Sequence, residues 1–417
     1  MESAFDLLVE RGFVHQTSND HALRDALQRP ITLYCGYDAT APSLTVGHLV
    51  PMMMMAHLQR AGHRPIAVAG GGTTMVGDPT DKAEARPLLS RQQIAQNMAG
   101  IKAQLGRYLD FGGGRALMVD NADWLLQLKY VDFLREIGRH FSVNQLLQHE
   151  TYRDRLQSSG LSFIELNYAL LQSYDFLHLY REYGCVLQVG GTDQWFNILA
   201  GVELIRRVEG AEAFALVAPL ILTASGVKMG KTEAGAVWLS SERTSAYDFY
   251  QFWVNTEDAD VGRFLRLFTC LPEDEIRRLE SLEGAELRAA KDVLAFEATR
   301  LTHGETAAGE AQIGARALFG SAEARLKEEA WLEVVPSTPV APEQLAEGID
   351  VVDLLVRSQL APSRAAARRL IIQGGAYLGD RRIEATSYKV TRADLGHDGR
   401  LLLRAGKKRY HLIVAAS

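Results

Sequence analysis

The sequence is poor in cysteine, and it contains no long apolar run. The 417 residues include only 3 cysteines, and this odd number of widely spaced residues suits neither a disulfide framework nor a zinc site: Cys35, Cys185 and Cys270. The apolar runs are too short to span a bilayer, and the segment from Met1 to Asp6 lacks the basic and apolar stretch of a secretion signal. We therefore expect a cytoplasmic protein with no metal cage of its own.

The composition is that of a folded protein with several domains. Hydrophobic residues make up 47% of the chain and charged residues 23%, which excludes both a disordered chain and a membrane protein. A chain of 417 residues exceeds what one hydrophobic core usually supports, so two or three domains are expected.

Charge is distributed unevenly along the chain. Residues 350–417 carry 13 Lys and Arg against 6 Asp and Glu, a net charge of +7, although the whole chain carries −6. The rest of the chain therefore carries −13. A charged segment is often only a solvated face, but a basic end on an acidic protein favours binding of a polyanion such as nucleic acid.

Apolar segments typical of strands alternate with helical segments from about residue 30 to 222. This alternation predicts a parallel sheet of Rossmann type, with ligands at the carboxyl edge of its strands. The strand candidates are Ile31 to Tyr37, Pro65 to Gly70, Arg115 to Val119, Cys185 to Val189 and Phe214 to Leu222, and a helix is expected from Arg91 to Leu109. A more helical insertion near 123–156 interrupts the pattern.

Two motifs in this framework could bind phosphate. Gly47-His48 opens a helical segment just after the first strand, where backbone N–H groups and the helix dipole favour anions. Lys228-Met229-Gly230-Lys231-Thr232 reads as an exposed loop with two cations around a glycine. Each has an ordinary explanation taken alone: the glycine serves packing, and the lysine loop is a solvated surface.

Taken together, the two motifs resemble the HIGH and KMSKS signatures of class I aminoacyl-tRNA synthetases. Further segments match the bacterial tyrosyl family of these enzymes in order: Tyr34 to Asp38, Gly77-Asp78-Pro79, Tyr168 to Asp175 and Gln188 to Trp195. The resemblance covers nearly the whole chain. It implies an enzyme that activates L-tyrosine with ATP, accompanied by magnesium, and transfers the tyrosyl group to the 3′ end of tRNA-Tyr.

The resemblance also implies which residues act on the phosphates. No nucleophile from the protein is needed, so the protein must position the substrates and stabilise charge. The implied catalytic residues are Thr40, Thr45, His48, Lys82, Arg86, Lys228, Lys231 and Thr232. Thr45 departs from the family, which has histidine there, and offers the γ-phosphate a hydroxyl donor in place of an imidazole. We therefore expect weaker, but not abolished, binding of the transition state.

Residues for tyrosine and ATP follow from the same resemblance. Tyr34 and Asp175 would bind the phenol, whereas helix caps or surface charges are the ordinary explanation for such an aspartate. The other expected tyrosine-binding residues are Asp78, Tyr168, Gln172, Gln188 and Gln194. The expected ATP-binding residues are Cys35, Gly36, Asp38, Gly47, His48, Gly191, Asp193 and Lys231.

The domain organisation is expected to have four parts. A catalytic domain at 1–222, with the insertion near 123–156 helping to form a homodimer, precedes a lysine loop and helical anticodon-stem-binding domain at 223–326. A proline-bearing linker at 327–349 leads to an RNA-binding domain at 350–417. The expected RNA-binding residues are Arg364, Arg368, Arg369, Lys407, Lys408 and Arg409.

Two other functions fit parts of the sequence. A tryptophanyl-type synthetase shares the fold and both signatures, but it would have no use for a paired phenol-binding tyrosine and aspartate. A non-catalytic RNA-binding paralogue is suggested only by Thr45. A tyrosine-dependent exchange assay between ATP and pyrophosphate separates all three.

Overall fold

A computed structural model describes residues 3–78, 89–148, 150–158, 160–226, 229–232, 235–319, 336–379, 381–396, 399–406 and 409–416. The chain divides into two units. The first comprises residues 1–229, 238–240 and 259–280, and the second comprises 230–237, 241–258 and 281–417. No helix in the described ranges is long and apolar enough to cross a membrane.

A six-stranded sheet forms the centre of the first unit. Its strands are β1 (Gln16–Thr17), β2 (Thr32–Tyr37), β3 (Arg64–Ala69), β4 (Leu117–Asp120), β5 (Cys185–Gly191) and β6 (Phe214–Ala218). They lie in the order β1-β6-β5-β2-β3-β4, and all pairs are parallel except β1 with β6. The parallel strands are mostly apolar, as expected for a sheet covered on both faces, and β6 is buried along its whole length.

Helices connect and cover these strands. They are α1 (Ala4–Glu10), α2 (Asp20–Ala26), α3 (Leu49–Arg60), α4 (Arg91–Leu105), α5 (Ala122–Leu125), α6 (Tyr130–Glu136), α7 (Val143–Gln148), α8 (Glu150–Ser158), α9 (Phe163–Leu166), α10 (Tyr168–Tyr183) and α11 (Trp195–Glu209). Ser90 caps the start of α4 in a capping box with Gln93, and α10 ends at Gly184, whose φ of 61° suits glycine.

The remaining elements belong to the second unit, except for α13 and α14. A short hairpin of β7 (Lys231–Thr232) and β8 (Gly235–Ala236) precedes the helices α12 (Ala246–Val254), α13 (Val261–Phe268), α14 (Glu273–Glu280), α15 (Leu287–His303) and α16 (Glu305–Phe319). The helices expected within residues 223–326 are therefore present.

A small α+β module ends the chain. Its strands β12, β11, β14, β15 and β9 form one sheet in that order, and β10 pairs with β13. The elements are β9 (Ser337–Val340), α17 (Pro342–Glu347), β10 (Ile349–Asp350), α18 (Val351–Arg357), α19 (Arg364–Ile372), β11 (Ala376–Leu378), β12 (Arg381–Arg382), β13 (Lys389–Val390), β14 (Arg400–Ala405) and β15 (Arg409–Ala415).

The structure differs from the linker expected at 327–349 in the part that it describes. Residues from Ser337 onward form β9 and α17, which belong to the terminal module. The prolines that suggested a linker are compatible with these elements. Pro339 lies on an edge strand, where a missing N–H is tolerated, and Pro342 occupies the first turn of a helix.

A buried histidine should make the stability of the first unit depend on pH. His57 on α3 is buried beside Phe13, and burial, with Arg11 and Arg60 nearby, lowers the pKa of its imidazole to about 3. Below the unfolded pKa of 6.5 only the unfolded state takes up this proton, so stability falls as the pH drops towards 3. We expect the free energy of unfolding to be about 2 kcal/mol smaller at pH 5 than at pH 7 from this group alone.

Urea unfolding of the wild type and His57→Phe at both pH values measures this contribution. The variant should lose that part of the pH dependence, whereas His21→Phe, which alters a histidine whose side chain is 90% exposed, should retain it. An unchanged pH dependence in His57→Phe would contradict the assignment.

Candidate functional site

The candidate site lies where the strand order of the sheet changes direction. From β2 the chain adds β3 and β4 on one side, whereas β5 and β6 lie on the other side. Ligands of open α/β sheets bind outside the carboxyl ends of the strands at such a switch point. Short 3-10 turns, Val46–His48 after β2 and Thr192–Gln194 after β5, start the helices that follow these strands.

A buried carboxylate forms the floor of this crevice. Asp175 on α10 is 3% exposed, and its two oxygens accept hydrogen bonds from the Asn121 amide at 2.9 Å and the Trp124 indole N–H at 2.7 Å. Burial nevertheless raises the pKa of Asp175 to about 8, because desolvation outweighs these two donors. Burial, and then the nearby Asp175, raise the pKa of the Tyr34 hydroxyl well above its usual range.

Two polar atoms beside Asp175 lack a partner. Tyr34 on β2 and Gln188 on β5 are paired in register, and both side chains are buried. The Tyr34 hydroxyl and the Gln188 carbonyl oxygen have no hydrogen-bond partner among the described residues. Since an unpaired buried polar group costs roughly 1–3 kcal/mol, this wall of the pocket is suited to a polar ligand group.

One face of α10 carries three of the expected tyrosine-binding residues. Tyr168, Gln172 and Asp175 are spaced by four and three positions, so their side chains lie along the same side of the helix. The Tyr168 hydroxyl donates to Asp38 at 3.3 Å, and the Gln172 amide donates to Gln194 at 3.3 Å. The helix therefore joins the loops that follow β2 and β5.

A chain of amides and carboxylates completes the crevice at the end of β5. The Gln194 side-chain amide donates to Asp78 at 2.8 Å and to Asp193 at 3.2 Å. Asp78 is buried, whereas Asp193 is exposed. The structure thus brings together the residues expected at the amino group of tyrosine and at the ribose of ATP.

The glycines around the crevice fall into two groups. A Cβ atom added at Gly70 would lie 2.5 Å from the Asp38 carboxylate and 3.2 Å from the Asp38 Cα, so packing favours glycine there. One at Gly191 would lie 2.4 Å from the exposed Asp193 carboxylate, which would have to shift. A Cβ at Gly36 would meet nothing within 4 Å, and one at Gly47 would meet nothing closer than 3.7 Å. Packing therefore does not explain Gly36 and Gly47, both of which are exposed.

The start of α3 holds the expected phosphate-facing residues. His48 is exposed, and its ring nitrogen Nδ1 lies 3.0 Å from the Thr45 hydroxyl and 3.2 Å from the Thr45 backbone N. Thr40 is exposed in the loop after β2. Cys35 is buried, and burial raises the pKa of its thiol to about 12, so the thiol is neutral.

Several expected residues lie outside the described ranges. Lys82, Arg86, Lys228, Lys407 and Lys408 belong to this group. Lys231 and Thr232 form β7 and are described through their backbone only. Among the described residues no cluster of three or more His, Cys, Asp or Glu could hold a metal ion.

The terminal module presents part of its expected basic surface. Arg368, Arg369 and Arg409 are exposed. Arg364 is also exposed, but it forms ion pairs with Asp353 and, at 3.7 Å, with Asp350. The exposed Arg381 and Arg382 of β12 add to this surface and were not expected from the sequence.

Sequence reasoning also missed three residues that support the pocket. Asn121 and Trp124 hold Asp175, and the Asn121 amide also donates to the Thr73 hydroxyl at 3.0 Å. A usable signal existed for two of them. Asn121 directly follows β4 at the carboxyl edge, and a buried indole N–H usually requires a partner.

Comparison with known proteins covers the whole chain. Residues 26–320 match a family model described as tRNA synthetases class I (W and Y), and residues 328–413 match the Tyrosine--tRNA ligase SYY-like C-terminal domain. A protein from Desulfosudis oleivorans named Tyrosine--tRNA ligase is 52% identical over 428 aligned positions, covering 99% of each chain. One of the same name from Desulfatibacillum aliphaticivorans is 51% identical, covering 98% of this chain and 97% of its own.

Solved structures agree with these relatives. A C-terminally truncated mitochondrial tyrosyl-tRNA synthetase from Aspergillus nidulans superimposes with a TM-score of 0.69 at 29% identity, covering 76% of this chain and 95% of its own. A tryptophanyl-tRNA synthetase from Giardia lamblia reaches a TM-score of 0.56 at 14% identity, covering 75% and 88%, which shows the shared fold alone.

Proposed function

The chain belongs to the tyrosine–tRNA ligase family of class I tRNA synthetases, and we infer from this that it charges tRNA-Tyr with L-tyrosine. In the first step the tyrosine carboxylate attacks the α-phosphate of ATP, forming tyrosyl-adenylate and releasing pyrophosphate. In the second step a ribose hydroxyl at the 3′ end of the tRNA attacks the tyrosyl carbonyl, and AMP leaves. Both nucleophiles belong to the substrates.

The phenol pocket is the observation that carries this proposal. A substrate phenol entering beside Tyr34 and Asp175 would meet a buried hydroxyl without a described partner and a carboxylate already oriented by two donors. Such a pocket favours a ligand with a hydroxyl, because one without it would leave the Tyr34 hydroxyl buried and unpaired. An indole side chain offers no hydroxyl at this position.

The opposite end of the crevice suits the amino group and the nucleotide. Asp78 and Gln172, connected through Gln194, would bind the ammonium group, and Tyr168 would orient Asp38 beside it. Asp193 would accept hydrogen bonds from the ribose hydroxyls. The open space over Gly36 and Gly47 would admit the nucleotide to the start of α3.

The cationic loops would act on the phosphates. Lys82, Arg86, Lys228 and Lys231 would neutralise charge on pyrophosphate as it leaves, and Thr232 would donate a hydroxyl hydrogen bond. Magnesium would arrive with ATP and be held mainly by its phosphates. The residues around the crevice would position the reactants, which is the main contribution of an enzyme that supplies no nucleophile.

Exchange between ATP and pyrophosphate tests the proposed activity directly. Labelled pyrophosphate should enter ATP only when tyrosine is present, and neither phenylalanine nor tryptophan should replace tyrosine at comparable concentration. Charging of tRNA-Tyr tests the second step. Exchange that depends on tryptophan, or no exchange with any amino acid, would refute the proposal.

Lys231→Ala should lower the rate of adenylate formation more than it weakens tyrosine binding. The loop would meet phosphates whose charge redistributes only during the reaction, so its contribution should be made mainly in the transition state. Contacts of this kind contribute roughly 2.7–4 kcal/mol, or about 10² to 10³ in rate. Single-turnover kinetics with a tyrosine titration would measure both quantities.

Lys102→Ala is a matched control, because Lys102 is an exposed lysine on α4 outside the proposed site. A Lys231→Ala rate within about twofold of wild type, together with a collapse of tyrosine affinity, would mean that the loop binds the amino acid instead.

We propose that the protein is a homodimer. Among the described residues, 13 large apolar side chains are exposed, and eight of them fall between residues 126 and 164: Leu126, Tyr130, Val131, Leu134, Val143, Leu156, Phe163 and Ile164. This region contains most of the insertion expected near 123–156. Such a concentration of exposed apolar side chains on a single chain is typical of an interface.

The substitutions Val131→Glu and Phe163→Glu together should convert the dimer to monomers, because charge would be buried at the interface. Sedimentation across a concentration series measures this. Ile372→Glu is the control, since Ile372 is 74% exposed and Val131 is 73% exposed, but Ile372 lies in the terminal module. A wild type that sediments as a monomer, or a double variant that remains dimeric, would contradict the proposal.

The terminal module would bind tRNA and the helices α12, α15 and α16 would contact its anticodon stem. Arg368, Arg369 and Arg409 are exposed and available to phosphate, and Lys407 and Lys408 would add to the positive charge of the module. We propose that this reaction takes place in the cytoplasm.

A further inference from the structure

The replacement of the first histidine of the HIGH signature by Thr45 has a specific structural counterpart. Two groups of Thr45 approach the same atom of His48: the backbone N at 3.2 Å and the hydroxyl oxygen at 3.0 Å from Nδ1. A backbone N–H can only donate. Nδ1 of His48 must therefore accept, and a neutral imidazole that accepts at Nδ1 carries its proton on Nε2.

The same geometry determines what the Thr45 hydroxyl can do. Because Nδ1 accepts, the hydroxyl must use its single hydrogen to donate to this nitrogen. Only lone pairs then remain on the hydroxyl oxygen. A phosphate oxygen is also an acceptor, so it cannot form a hydrogen bond with them. In this arrangement the Thr45 hydroxyl cannot also donate to the γ-phosphate, which is the role that the sequence suggested.

Thr45 is itself held from two sides within the first unit. The preceding residue, Leu44, donates its backbone N–H to the Gln104 side chain at 2.8 Å and accepts from the Leu239 N–H at 2.9 Å. Thr45 also forms an isolated antiparallel bridge with Trp238. These contacts fix the Thr45 backbone before any substrate binds, so the donor that selects the His48 tautomer is preorganised.

We propose that Thr45 is a positioning residue that holds His48 as an Nε2–H donor to the nucleotide during adenylate formation. This rests on the proposed tyrosine activation. His48 touches the nucleotide, and Thr45 acts through His48. In the family pattern a histidine at position 45 would address the γ-phosphate itself, whereas this chain uses the position to orient the second histidine of the signature.

A double-mutant cycle tests this assignment. Thr45→Val removes the hydroxyl and keeps the branched shape, and it should slow adenylate formation by roughly three- to tenfold, the size of one net hydrogen bond. Thr45→Ser should restore the rate to within about twofold of wild type. In a His48→Ala background, Thr45→Val should have no further effect, because the residue through which it acts is absent.

Two outcomes of the cycle would overturn the proposal. If the rate reductions caused by Thr45→Val and by His48→Ala multiply in the double variant, Thr45 contacts the phosphates directly. An unchanged rate in Thr45→Val would mean that the hydroxyl contributes nothing. Tyrosine affinity and the unfolding temperature of each variant separate these outcomes from misfolding.

A measurement independent of activity addresses the tautomer itself. In protein labelled with nitrogen-15 at its 11 histidines, the His48 signal can be assigned by its loss in His48→Ala. NMR spectra that correlate each ring nitrogen with the protons on the ring carbons distinguish a protonated Nε2 from a protonated Nδ1. We expect Nε2 to be protonated, and a proton on Nδ1 would overturn the proposal. Absence of tyrosine-dependent exchange would instead refute the proposed function and leave this result standing.

Discussion

Asp175→Asn and Tyr34→Phe are expected to reduce the selection of tyrosine over phenylalanine. Phenylalanine entering the wild-type pocket leaves Asp175 and Tyr34 without the substrate hydroxyl, and each variant removes part of that penalty. Tyrosyl-tRNA synthetases are the reference case for this effect and select tyrosine over phenylalanine by a factor of about 10⁵. The size of the wild-type discrimination is therefore taken from that family and not from the geometry. We expect about tenfold lower discrimination for each variant, the size of one net hydrogen bond.

The ratio of kcat/KM for the two amino acids in pyrophosphate exchange measures this discrimination. Tyr37→Phe is a matched control, because it removes another buried hydroxyl from β2 on the opposite face of the strand. Its ratio should equal that of the wild type. If both pocket variants discriminate as well as the control, Asp175 and Tyr34 do not bind the phenol.

A chain that ends at Ala330 should form tyrosyl-adenylate normally but charge tRNA poorly. The truncation keeps every residue proposed for tyrosine and ATP, and it removes the segment 350–417 with its net charge of +7. Each lost phosphate contact should reduce the slope of log affinity against log salt by about 0.7–0.9.

Binding of tRNA across a salt series, beside pyrophosphate exchange for the same proteins, tests this separation of functions. The full-length variant Arg368→Ala with Arg369→Ala should lose about two phosphate contacts and lie between the wild type and the truncation. Full charging by the truncated chain would show that the module does not bind tRNA during the reaction.

Strand positions in the catalytic unit could be predicted because burial leaves a local signal. The segment expected as a strand from Ile31 to Tyr37 forms β2 at Thr32–Tyr37, and the segment from Cys185 forms β5. The observed strand ends differ from the expected ones where apolar residues continue beyond the last residue that pairs with a neighbouring strand. The segment expected to extend from Phe214 to Leu222 ends as a strand at Ala218. Hydrophobicity reports burial, whereas the end of a strand depends on its neighbours.

The supports of the site were harder to predict than the residues that face the substrate. Asp175 and Asn121 are 54 positions apart in the chain, and Asp175 and Trp124 are 51 positions apart. Such pairs are brought together only by the packing of α5 against α10, which no local pattern encodes. The same limit applies to Thr45. The sequence shows that threonine stands where the family has histidine, but it does not show that the threonine hydroxyl contacts Nδ1 of His48.

The pairing of β9 with β15 also affects how the terminal module is made. β9 is the first strand of this sheet to leave the ribosome, yet in the described sheet it pairs only with β15, the strand of this sheet that is synthesised last. The sheet therefore cannot be completed until β15 has also left the exit tunnel. β9 must wait unpaired, and its short length and Pro339 make it a poor template for aggregation during that interval.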